Sequence, residues 1–131
     1  MNTMRKVAAV ALGGATLLAL GVAPAQAEGS RTSYIEGWER GRESNRWYDG
    51  NADSTSSIVS LSTCYTDSSF NSATLNLYQD ISWNPDRNVG SRVNYCGLSS
   101  WGRVSAGSYY FKLSDFSGGS RFTAENVYIA W

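Results

Sequence analysis

Past residue 27 the chain alternates apolar and polar positions with a period of two, and nowhere with the period of a helix. Ile58 to Cys64 is a serine- and threonine-rich run with Val59 and Leu61 on one face. Ala73, Leu75 and Leu77 alternate with Thr74, Asn76 and Tyr78, the pattern of a strand with one buried and one more polar face. Val89, Ser91, Val93 and Tyr95 predict another strand, and Ser108 to Leu113 a further one. The last run, Phe122 to Trp131, alternates Thr123, Glu125, Val127, Ile129 and Trp131 with Phe122, Ala124, Asn126, Tyr128 and Ala130. Between these runs lie turn formers: Asp49-Gly50-Asn51, Asn84-Pro85-Asp86 and Ser117-Gly118-Gly119-Ser120. The expectation is an all-β chain of about seven or eight short strands, folded as an antiparallel two-sheet sandwich.

Residues 1 to 27 follow another pattern. A basic start at Arg5 and Lys6 leads into an apolar run from Val7 to Ala23 and then Pro24-Ala25-Gln26-Ala27. The small residues Ala25 and Ala27 suit a signal peptidase, so 1–27 reads as a cleavable secretory signal cut before Glu28 and the product as a secreted, extracellular protein. Glu28 to Ser33 has little to bury and is expected to be a flexible arm, leaving 34–131 as one domain with one core. The whole chain has 11 basic and 11 acidic residues. Without the leader it is slightly acidic and has no basic stripe for nucleic acid or for a membrane surface. Cys64 and Cys96 are its only cysteines, and in an oxidising compartment they are expected to pair.

The chain contains no histidine, which removes histidine general bases, Ser-His-Asp triads and histidine-based zinc sites. A disulfide removes thiolate chemistry as well. Only a pair of carboxylates is left for catalysis, from Glu36, Glu39, Glu43, Asp49, Asp53, Asp67, Asp80, Asp86, Asp115 and Glu125, and nothing in the sequence pairs any two of them. The expectation is a protein without catalytic residues or a cofactor. Asp49, Asn51 and Asp53 place oxygens at alternate positions and form a weak candidate metal loop. Ser54 and Ser60 stand where a calcium loop needs glycine and glutamate, so a turn explains the segment as well.

More informative is the aromatic and arginine load of Tyr34, Trp38, Arg42, Arg46, Trp47 and Tyr48, interleaved with Glu36, Glu39 and Glu43. Tryptophan, tyrosine and arginine dominate interface hot spots, because each buries a large area while keeping a polar handle. The competing expectation is that Tyr34, Trp38 and Trp47 belong to the core. Trp83 and Trp101 fall in expected loops, where an exposed indole would stack on a sugar ring or anchor a partner.

Two resemblances bear on these readings. The strand Ala73-Thr74-Leu75-Asn76-Leu77-Tyr78-Gln79-Asp80 and the segment Val104 to Leu113, with its Ala106-Gly107-Ser108-Tyr109-Tyr110, resemble two strands of the jelly-roll sandwiches attached to secreted bacterial peptidases. That resemblance implies a jelly-roll fold and is silent on activity. The Ala25-x-Ala27 site, the short Glu28 arm, Glu43-Ser44-Asn45-Arg46-Trp47-Tyr48-Asp49, the two cysteines and Trp101-Gly102 together resemble the plan of the small adaptor subunit of actinobacterial umbrella toxin particles. It implies a non-catalytic adaptor that binds other secreted proteins within a toxin complex. The alternatives are a secreted carbohydrate-binding module using Trp83 and Trp101 and, through the unassigned carboxylates, a small toxin or cell-wall hydrolase.

Overall fold

A computed structural model describes residues 28–131, so the leader assigned to 1–27 lies outside the described residues. Among the described residues eight strands follow one another without a helix: β1 (Ser30–Trp38), β2 (Trp47–Asp49), β3 (Ile58–Thr66), β4 (Ala73–Asp80), β5 (Arg87–Asn94), β6 (Leu98–Ser100), β7 (Gly107–Phe116) and β8 (Phe122–Ala130). One sheet has the order β1-β8-β3-β6 and the other β2-β7-β4-β5, all pairs antiparallel. β1 pairs with β8, β2 with β7, β3 with β6 and β4 with β5, as when one long antiparallel ribbon is rolled into two layers. This is the strand order of a jelly roll.

The core lies between the layers. Val59 and Leu61 of β3, Leu75 and Leu77 of β4, Tyr109, Phe111 and Leu113 of β7 and Phe122, Ala124, Val127 and Ile129 of β8 are all buried there. In β8 the strict alternation expected from sequence fails. Phe122 and Ala124 point inward in one phase, Val127 and Ile129 in the other, because the register against β1 shifts between Ala124 and Val127. An extra residue at a bulge turns every later side chain to the opposite face. A second shift, where β4 meets β5 between Leu77 and Tyr78, breaks the expected Val89-to-Tyr95 face. Val89 packs on the core, whereas Val93 and Tyr95 are exposed.

Opposite the β8 bulge, exposed Thr63 of β3 stands at φ 53, left-handed geometry that a β-branched residue rarely adopts. Asparagine tolerates this region better. Thr63→Asn is therefore expected to recover about 1 kcal/mol and to raise the thermal midpoint by roughly 4 to 8 °C. A midpoint that stays level or falls in a calorimetric scan would show that Thr63 bears no strain.

The stretch expected to be a mobile arm is part of the sheet. Gly29 and Trp131 exchange both backbone hydrogen bonds, at 2.9 and 3.0 Å, and Ser30 to Ser33 pair with Ala130 to Val127. The Glu28 carboxylate accepts the N–H groups of Gly50 at 2.6 Å and Ala52 at 2.9 Å. Ladder bonds are made by backbone, so an edge strand forms from residues that have little to bury.

Candidate functional site

The two sides of the sandwich are finished differently. On the β5/β6 side the chain crosses between sheets through Tyr95-Cys96-Gly97. Buried Asn94 holds that turn: its Oδ1 accepts the N–H groups of Cys96 and Gly97 at 2.8 and 2.9 Å, and its Nδ2 donates to Ser99 Oγ at 2.8 Å. Cys96 is bonded to Cys64 of β3, with Cα atoms 5.8 Å apart. Trp101 wedges in after β6, its indole N–H donating to the Gly90 carbonyl at 2.8 Å. That side is shut.

On the β1/β2 side the sheets part. A cleft of about 540 Å³ runs between β1 and the segment Arg42 to Asn45, with Phe111, Val127 and Ile129 at its base. Ser33 of β1 is exposed although its partner across the pair, Val127, is buried, so the inner face of β1 is open to solvent here. Segment 41–45 is itself held against β7. Gly41 N–H donates to Leu113 O at 2.7 Å, Ser44 N–H donates to Phe111 O at 2.8 Å, and Ser44 Oγ accepts the Phe111 N–H at 3.0 Å. Two arginines mark the ends of the cleft. Arg42 lies over the Trp38 ring at 5.1 Å, and Trp38 in turn packs at 6.1 Å on Phe111. Arg31 reaches across to donate to the Arg46 carbonyl at 3.0 Å.

Of the expected partner-binding residues, the cleft brings together Tyr34, Trp38 and Arg42. Tyr34 is 64% exposed at its rim, opposite the β8 bulge. The other three lie elsewhere. Trp47 is 3% exposed and stacks on Trp131 at 5.9 Å, so its placement on a binding surface is corrected to the core. Its indole N–H is buried with no hydrogen-bond partner among the described residues. Arg46 is a fastener: it pairs with Glu43 at 3.2 Å and Asp80 at 3.0 Å while its guanidinium covers the Tyr110 ring at 3.7 Å. Tyr48 is exposed, but on β2, where its neighbours Trp47 and Asp49 are both turned inward.

The two loop tryptophans separate as well. Trp101 is 7% exposed and has no free face for a sugar, so its stacking role is withdrawn. Trp83 is fully exposed at the tip of the β4–β5 hairpin, with φ 66. Asp86 clamps that hairpin by accepting the Ile81 N–H at 3.1 Å and the Tyr110 hydroxyl. The Tyr110 bond, with the Ile81 N–H behind it, holds the Asp86 carboxyl below its usual range; burial, then the same bond, pushes the Tyr110 phenol up. On this outer face Tyr78 stacks on Tyr110 at 5.5 Å and Lys112 sits over Tyr78 at 4.9 Å. Sequence reading missed this ladder, although the register Tyr78 to Tyr110 follows once β4 and β7 are paired.

The weak metal loop resolves into a turn. Asp49 is buried and its oxygens accept the Asn51 N–H at 2.8 Å and the Ser57 hydroxyl at 3.0 Å; Asn51 Oδ1 accepts Arg103 Nε at 2.6 Å, and Asp53 accepts the Thr55 N–H at 2.8 Å. These oxygens face protein donors instead of a common centre. Among the described residues no three acids or cysteines stand together in a metal-holding arrangement. Comparison with protein-family models, with curated proteins and with solved structures gives no match for this chain.

Proposed function

We propose that this is a secreted, non-catalytic adaptor that holds another extracellular protein in the cleft between β1 and segment 42–45. One observation carries the reading: the cleft gathers Tyr34, Trp38 and Arg42, three residues of hot-spot type, around an opening onto apolar core residues. Its volume, about 540 Å³, falls within the usual range for ligand sites. The sequence-level resemblance to adaptor subunits of extracellular toxin particles supports a role in joining subunits of such a complex. Fully exposed Trp83 favours a second reading, a carbohydrate-binding module that stacks a sugar on the hairpin tip.

One experiment weighs both. Tagged protein recovered from its native culture supernatant is expected to bring down one or two larger secreted proteins in stoichiometric amount. Arg42→Glu or Tyr34→Ala should cut recovery at least tenfold, and Tyr95→Ala, on the shut side, should leave it unchanged. Recovery of bare monomer would sink the adaptor reading. Loss with Trp83→Ala alone, releasable by soluble glycan, would move the function to the hairpin tip.

A further inference from the structure

β1 is the edge of its sheet, and its outer backbone groups run along the cleft. The pair Gly29/Trp131 exchanges both hydrogen bonds. In an antiparallel ladder this class alternates, so Arg31 and Ser33 bond to β8, while the N–H and C=O groups of Ser30, Thr32 and Tyr34 point to the free edge. An open edge with unpaired backbone groups is a template for another strand. From Arg31 to Trp38 it offers about 20 Å, enough for five or six extended residues.

The charges specify what that strand carries. Arg42 and Arg31 line the cleft, and neither has a carboxylate partner among the described residues; Glu43 is already paired with Arg46. Of the two acids that line it, Glu36 and Glu43, only Glu36 has no arginine partner among the described residues. We infer that the cleft takes an extended, acid-bearing segment of a partner protein as an added strand on β1, with apolar side chains between the sheets and a carboxylate at Arg42. This rests on the protein-binding reading and adds the mode, sheet-edge addition, and the chemistry of the occupant.

The probe is a set of synthetic eight-residue peptides of alternating valine and threonine, with aspartate in place of one inward-facing valine, toward Arg42, in one series and lysine in the other. Fluorescence anisotropy is expected to show the aspartate series binding at least tenfold more tightly. Arg42→Glu should reverse that preference. Bound peptide should slow amide exchange at Thr32 and Tyr34 at least tenfold. Thr32→Pro removes a free-edge donor without touching the β8 ladder, and should abolish binding while leaving the thermal midpoint in place. Alternate N-methylation of the peptide tests the same bonds without altering the protein. Failure of every aspartate peptide to bind, or undiminished binding by both Thr32→Pro and the N-methylated peptide, overturns strand addition. If Arg42→Glu loses the supernatant partner while Thr32→Pro retains it, strand addition falls and the adaptor reading stands. If both variants retain it, both fall.

Discussion

Trp47→Ala is expected to cost the domain about 3 to 5 kcal/mol, the range for removing a large aromatic from a core. A domain of this size has roughly 5 to 15 kcal/mol in total, so the variant should stand near the edge of folding. Trp47 is 3% exposed and bears on Trp131, which closes the β1–β8 pair through Gly29. Its loss therefore removes packing at the point where the first and last strands meet. Trp47→Phe separates volume from polarity. It keeps a ring against Trp131 and deletes an indole N–H that is buried without a partner among the described residues, a group whose burial costs about 1 to 3 kcal/mol. Phenylalanine should thus lose less than half of what alanine loses in urea denaturation. Equal losses would mean that the orphan donor costs nothing. A fully stable Trp47→Ala that also loses its secreted partner would return Trp47 to the binding surface.

Replacing both Cys64 and Cys96 by alanine is expected to cost about 3 to 4 kcal/mol, from the loop entropy released in the unfolded chain. The bonded residues are 32 apart in sequence. The structure adds a local reason. Cys96 sits at φ 70 in the turn that passes from β5 to β6, and the bond ties this crossing to β3. Asn94 makes four hydrogen bonds in and around the same turn, so the crossing should persist in the reduced protein at lower stability. The measurement is a urea midpoint with and without the bond; a difference below about 1 kcal/mol would show that Asn94 suffices. Trp47 and the disulfide belong to opposite sides of the sandwich, so their losses should add when combined.

Much of the fold was legible along the chain. Ala73 to Tyr78 was readable because β4 is a central strand whose side chains alternate between a buried and a less buried face, and Ser108 to Leu113 because β7, also central, carries the apolar run Tyr109 to Phe111, all buried. The first strand was readable only in part. Ser30 to Ser33 lack the apolar residues that announce a strand, and their ladder partner lies almost a hundred residues away in β8. β6 is three residues long, too short to show a period. Of the aromatic and arginine cluster, composition correctly marks a dense stretch. It does not distinguish Tyr34 at a rim from Trp47 in the core, since both side chains suit either place.

The sequence by itself determined the all-β class and the sole cysteine pairing, because period-two alternation and two cysteines leave little choice. Only the tertiary structure decided which tryptophans face water, that the stretch expected to be an arm is an edge strand, and that one side of the sandwich stands open beside it. The physical reason is that a residue's face depends on the register of its strand. Bulges reset that register in β8 and where β4 meets β5, and register is a property of pairs of strands distant in the chain.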